Sequence, residues 1–191
     1  MNEISTLKFH YVWEQRQLSE VVNIQGGGTP ASNVQEYWNG KINWFTPTEV
    51  SNNGYLNRSL RKITEEGLKK SSAHLLPKGT ILMTSRAGIG NMGILTEEAA
   101  TNQGFQSLIP KEGVPSYFIY SLQPYISNIA NKLASGSTFT EISNKTVKKI
   151  KLTIPNSDKE KNDVGTFFNK LDQLIASNQR NLNKPLWTHP P

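Results

Sequence analysis

The 191 residues are 36% hydrophobic and 9% aromatic, enough for one well-cored domain with an appendage or for two small domains. No apolar run approaches the roughly 20 residues of a membrane span, the opening MNEISTLKFHYVWEQRQ holds no apolar signal core, and the lack of cysteine excludes disulfides, thiol nucleophiles and thiolate metal sites, so a cytoplasmic location is expected. The formal net charge is +6, and positions 1–156 carry +5 of it through 16 Lys/Arg against 11 Asp/Glu, which favours an anionic partner such as nucleic acid.

Polar, glycine-containing loops punctuate the first 156 residues: QGGGTPASN from Gln25, SNNGY from Ser51, SRAGIGN from Ser85 and ASGST from Ala134. Between them the pattern predicts short helices over 64–72, 115–122 and 124–133. Strands are predicted over 81–84, 93–96, 105–109 and 149–154, the last with Ile150, Leu152 and Ile154 alternating with polar residues. Many short strands with few helices make an α+β domain whose long loops are expected to carry function.

The stretch TILMTSRAGIGNMGILTEE places Gly88, Gly90 and Gly93 in G-x-G-x-x-G spacing. A dinucleotide site needs a strand running straight into the first glycine, a helix opening at the last, and an acid about twenty positions on. Here Ser85-Arg86-Ala87 intervenes, Gly93 leads into another strand-like run, and no acid lies between Glu98 and Glu112. The cofactor reading is rejected. Strand, glycine loop, strand reads instead as a hairpin with an extended tip, with Arg86 beside Ser85 and Asn91 on offer to phosphate or base edges.

After Pro155, Ser157-Asp158-Lys159-Glu160 has the spacing of a capping box. From there Val164, Phe168, Leu171, Ile175 and Leu182 recur at helical spacing, with Asn178 as a polar position in the seam and Phe167 and Leu174 widening the stripe. A helix from 158 to about 183 would be ~39 Å long, and its stripe needs a partner in this chain or in another. Gly165 should cost about 1 kcal/mol relative to alanine there.

Catalytic constellations are not found. His10, His74 and His189 are scattered without a metal-binding spacing. No nucleophile elbow, phosphate loop or amino-methyltransferase Asn/Asp-Pro-Pro-aromatic motif occurs. The acid pairs Glu65-Glu66 and Glu97-Glu98 fit helix first turns or solvated loops. A non-catalytic protein with no metal and no directly bound cofactor is expected.

Four segments in order resemble a target-recognition domain and adjoining helix of type I restriction–modification specificity subunits: WEQRQLSEVVNIQGGGTPASNVQEYWNGKINWFTPTEV, LLPKGTILMTSRAGIGNMGI, TNQGFQSLIP and GSTFTEISNKTVKKIKLTIPNSDKEKNDVGTFFNKLDQLI. The resemblance implies a DNA-reading scaffold on which methyltransferase subunits carrying S-adenosylmethionine dock, joined by a restriction and translocation subunit. A subunit of that family has two recognition domains and two helices; one of each here looks like a half-subunit. The expected organisation is a recognition domain over 1–156, a spacer and dimerisation helix over 157–184, and a tail over 185–191. Carried over residue by residue, the implied DNA-binding set is Thr29, Ser32, Lys41, Trp44, Thr46, Arg58, Arg61, Ser85, Arg86, Asn91, Asn102, Gln103, Ser137 and Thr138. Core packing is the competing reading for Trp38 and Trp44, and a turn role for Asn102 and Gln103. The implied homodimer seam is Val164, Phe168, Leu171, Ile175, Asn178 and Leu182. The alternative is a protein-interaction or assembly module without specific DNA readout.

Overall fold

A computed structural model describes residues 12–50, 54–86, 88–134 and 141–182. In chain order the elements are β1 (Trp13–Gln17), α1 (Leu18–Val21), β2 (Val22–Gly26), β3 (Trp38–Phe45), β4 (Tyr55–Leu56), β5 (Arg61–Ile63) and α2 (Glu65–Lys69). There follow β6 (Ile81–Thr84), β7 (Met92–Leu95), β8 (Ala99–Thr101), β9 (Phe105–Pro110), α3 (Ser116–Ser121), α4 (Gln123–Ala134), α5 (Asn144–Lys148), β10 (Lys151–Pro155) and α6 (Asp158–Leu182).

The run Ile81-Leu82-Met83 explains the layering. Successive strand side chains point to opposite faces, so three consecutive apolar residues require cover on both. Ile81 and Met83 join one cluster with Leu18, Phe118, Ile126 and Ile150, beneath the helices. Leu82 joins Phe45, Leu95 and Phe105 in another. The sheet to which β6 belongs has the order β2-β9-β6-β7-β4. A second sheet, β5-β3-β8, carries a third cluster of Trp38, Trp44 and Ile63. The molecule is an α+β fold with a long C-terminal helix.

The 81–84 and 93–96 runs pair antiparallel, Ile81 opposite Ile94, as the hairpin reading requires. The first half of the chain contains more strand than local pattern predicts. Residues Trp13–Gln17 are mostly exposed and polar, and become β1 only by pairing with β10, Trp13 opposite Pro155. Two pairings are parallel, β3 with β8 and β4 with β7. The segment predicted as a strand from 149 begins at Lys151, because Ser143 caps the short α5, its hydroxyl accepting the Thr146 amide at 3.2 Å. The predicted 64–72 helix is shorter, Glu65–Lys69, with Thr64 as its N-cap and the Glu65-Glu66 pair in its first turn.

Two expectations for α6 change. The Ser157 hydroxyl accepts the Glu160 amide at 3.4 Å, but the Glu160 carboxylate, instead of returning to the Ser157 backbone, accepts the Trp13 indole N–H at 2.9 Å. The β1–β10 pairing brings that indole to the helix start. Gly165, in turn, is where α6 crosses α3: a Cβ there would lie 2.9 Å from the Phe118 amide nitrogen. Val164 packs against the domain's own core, so it is not available to a dimer seam. Docking continues as Tyr117 donates to the Asp172 carboxylate at 2.6 Å and Tyr55 to Asn169 Oδ1 at 3.4 Å. Burial first, then that bond to Asp172, pushes the Tyr117 phenol up from its ordinary range, so it stays a proton donor in mildly alkaline solution. Phe167, Phe168, Leu171, Leu174 and Ile175 remain exposed on the adjoining face, as does Asn178; the Leu182 side chain lies outside the described residues. Among the described residues no helix is long and apolar enough to cross a membrane.

Candidate nucleic-acid interface

Sheet register brings the polar loops of the candidate site to one end of the molecule. In the five-stranded sheet, Gly26 at the end of β2 stands opposite Gln106, and Thr84 at the end of β6 opposite Phe105. In the other sheet Phe45, at the end of β3, stands beside Thr101 at the end of β8. The Gly28 N–H to Thr101 O bond at 2.8 Å joins the two ends, while Asn102 N–H to Phe45 O at 3.0 Å and Ser85 N–H to Gly104 O at 2.8 Å extend the pairing of each sheet. Loops following β2, β3, β6 and β8 therefore form one surface from segments spread over some 75 positions of sequence.

Thr29, Thr46, Arg86, Asn102 and Gln103 meet there. The Thr29 hydroxyl donates to Gln103 Oε1 at 2.7 Å. Asn102 is half-buried, and its Oδ1 accepts the Gly104 amide at 2.8 Å, a local turn. Pro47 Cγ, Asn102 Oδ1 and Arg86 Nε gather round Gly104, at 2.6, 3.0 and 3.3 Å from where a Cβ would sit. Ser32 is exposed in the loop after β2. Such a surface offers hydroxyls, amides and a guanidinium, the groups that address phosphate oxygens and base edges.

Other expected contacts are placed differently. Ser85 is 0% exposed, its hydroxyl donating to Glu141 Oε1 at 3.3 Å, and cannot reach a duplex. Trp44, at 4%, is also internal: it packs edge-on to Trp38 at 5.2 Å between centroids and donates its indole N–H to Gly28 O at 2.9 Å. Trp38 donates to Ala31 O at 3.2 Å. The two tryptophans are thus anchors under the 26–32 loop. Thr46 is half-buried; its hydroxyl donates to Glu49 Oε2 at 2.8 Å within the cap of the Pro47–Glu49 turn, so its role is structural first. Lys41 is exposed but sits in the bulged start of β3, at the far end of that strand from Thr46. Arg58 is exposed, while the Arg61 guanidinium stacks 3.6 Å above the Trp38 ring. Ser137 and Thr138 lie outside the described residues.

The glycine loop is not a projecting finger. Gly88 and Gly90 both have positive φ, +93° and +85°, as a hairpin tip permits. Ile89 between them is buried in the main core. Helix α4 holds the tip down, since Ser127 Oγ and Asn131 Nδ2 both donate to Ile89 O, at 3.2 and 2.9 Å. Of the described part of the tip, Gly88 is exposed and Arg86 and Asn91 are half-buried. An apolar residue between two glycines pulls the loop inward, which gives Arg86 a fixed base.

One element went unread in the sequence. Thr46-Pro47-Thr48-Glu49 is a capping box with proline at its first turn position, and Glu49 Oε2 accepts the Thr46 amide at 2.7 Å. Its spacing, threonine with glutamate three residues on, is a recognisable signal. It brings Thr48 to the surface, 3.0 Å from Thr46 oxygen to oxygen. Among the described residues no cluster of His, Asp and Glu could hold a metal ion.

The family model described as the type I restriction modification DNA specificity domain matches residues 12–185. Over 172 residues the chain is 37% identical to the MjaIX type I restriction enzyme specificity subunit of Methanocaldococcus jannaschii, covering 88% of this chain and 40% of that one. It is 30% identical over 173 residues to the EcoR124I/EcoR124II specificity subunit of Escherichia coli, covering 86% and 42%. A crystal structure of the HsdS subunit from Thermoanaerobacter tengcongensis shares the fold at a TM-score of 0.67 and 17% identity, over 90% of this chain and 40% of that one. The chain thus spans about two fifths of the length of these relatives. With all of its described residues inside the match, this chain belongs to the type I restriction modification DNA specificity domain family.

Proposed function

We propose that this chain reads a specific DNA sequence for a type I restriction–modification assembly in the cytoplasm, doing no chemistry of its own. The body through residue 156 supplies the reading surface and the helix from 157 to 184 acts as spacer. The observation that carries the reading is the convergence of Thr29, Arg86, Asn102 and Gln103 at one sheet end of a basic protein. The partners in this reading are methyltransferase subunits holding S-adenosylmethionine and a restriction subunit; that the named relatives are specificity subunits of type I restriction enzymes supports an assembly of this kind. Titration of duplex DNA at increasing salt tests the reading: log K should fall linearly with log salt, by about 0.9 per phosphate contacted. A flat response would favour a protein-interaction module.

Arg86→Ala is expected to weaken binding to the proper target by about 1–3 kcal/mol if the guanidinium is bidentate to a base, with the unfolding midpoint unchanged. A gel-shift titration measures it. Unchanged affinity would remove Arg86 from the contact set.

The exposed Phe167, Phe168, Leu171, Leu174 and Ile175 support a second element of the proposal, a two-fold dimer of this chain through α6. Two identical reading ends would then address a symmetric, interrupted target. Light scattering at tens of micromolar checks the mass; a monomer there would contradict the dimer and leave DNA reading standing.

A further inference from the structure

We propose that Leu60 is an apolar DNA contact that reads the 5-methyl group of thymine, an inference that rests on the DNA-reading function above. Among the described residues Leu60 is the most exposed large hydrophobic side chain, at 86%; the next, Phe167 and Leu174 at 62%, belong to the α6 stripe. A single exposed leucine is ordinary by itself; the distinguishing feature here is the backbone that carries it. This one is held in place. Its amide donates to Glu49 Oε1 at 2.7 Å. The neighbouring Ser59 hydroxyl accepts the Trp44 amide at 2.9 Å and donates to Arg61 O at 2.5 Å, and the Ser59 amide reaches Asn43 Oδ1 at 3.3 Å. On the other side Arg61 is pinned over Trp38.

The position is as informative as the rigidity. Trp44 stands opposite Arg61 in the β3–β5 pair, so Leu60 lies at the β3 end that leads into Thr46 and neighbours Asn102. The Glu49 carboxylate joins the two turns, one oxygen taking the Leu60 amide and the other the Thr46 amide and hydroxyl. Leu60 is therefore part of the reading end, offset from Arg86 across the Pro47–Glu49 turn.

Charge and chemistry choose the occupant. In the chain Leu60 lies between the exposed Arg58 and Arg61, whose guanidinium is stacked on Trp38, and the Glu49 carboxylate beside it is engaged by the Leu60 and Thr46 amides. Basic residues flanking an apolar tip suit a polyanion that carries apolar groups within its groove, and the thymine methyl is that group in the major groove of DNA. Glu49 is a positioning residue in this arrangement.

The test uses the full chain and a pool of duplexes with a randomised centre, prepared either with thymine or with deoxyuridine in its place. Wild type should enrich a sequence containing thymine and bind its uracil form about fourfold more weakly, the worth of one buried methyl. Leu60→Met should keep that penalty. Leu60→Ser should reduce it below about twofold with an unchanged unfolding midpoint, as expected at an exposed site. If Leu60→Ser recovers the same sequence with the same uracil penalty, Leu60 is not a contact, although DNA reading survives. If wild type enriches nothing from either pool, the DNA-reading function itself falls and takes this inference with it.

Discussion

Gly90→Ala is expected to lower stability by about 2–4 kcal/mol and to abolish specific DNA binding together with it. Gly90 has φ +85°, strained for any residue with a Cβ, and the added carbon would lie 2.6 Å from Ser127 Cα in α4. Neither strain can relax cheaply, because that helix is fastened to the tip through Ser127 and Asn131, and Ile89 is buried beneath it. For a chain of this size the unfolding midpoint should fall by about 5–15 °C. Binding should fail because Arg86 and Asn91 lie on the same tip, and their placement depends on its being held down. The contrast with Arg86→Ala is diagnostic: that change removes a contact and leaves the midpoint alone. A Gly90→Ala protein with a normal midpoint would show that the tip is not clamped.

The second large effect is expected at Gly165. Gly165→Leu places a Cβ 2.9 Å from the Phe118 amide nitrogen and a branched side chain beyond it, where α6 crosses α3. Overpacking of this kind costs about 3 kcal/mol, offset by roughly 1 kcal/mol from the better helix propensity of leucine. The net loss falls mainly on docking. The Tyr117–Asp172 and Tyr55–Asn169 bonds both lie further along α6 and would break as the helix lifts. Trypsin should then cut after Lys170 several-fold faster, as local opening becomes easier. Binding of DNA by the body should change little at low salt, since the reading loops belong to other elements. Unaltered proteolysis would mean that α6 is held elsewhere.

Gly165 also shows how a local rule and a tertiary fact can share one residue. Helix propensity assigns it a cost of about 1 kcal/mol and no benefit. The benefit appears only where α3 arrives, and nothing near position 165 in the sequence announces Phe118. Val164 follows the same logic. Its spacing with Phe168 and Leu171 is that of a seam, but it serves the domain core, while Phe168 and Leu171 remain outside.

The proposed reading surface divides in a similar way. Arg86 could be named from the chemistry of its loop, and Thr29, Asn102 and Gln103 from the resemblance; the structure brings these four together. Ser85 could be named with Arg86 and Trp44 from the resemblance, and both are buried, Trp44 as its competing core-packing reading has it. Sequence neighbours such as Ser85 and Arg86 point in different directions at the end of a strand, and local composition does not say which faces the core. Leu60 reverses the usual expectation: an apolar residue is assigned inward by default, yet this one is exposed on a backbone tied by Glu49 and Ser59.

What the sequence by itself determined is therefore local: the hairpin of β6 and β7, the alternation in β10, the long amphipathic α6, and the polar loops that carry side chains fit for DNA. Each follows from periodicity or turn chemistry within about 25 residues. Only the tertiary structure decided that β1 exists, by pairing Trp13–Gln17 with a strand some 140 residues away, and that the loops after β2, β3, β6 and β8 share one end. Strand register and helix crossing are set by contacts between distant segments, so their outcome is not written in any single stretch of chain.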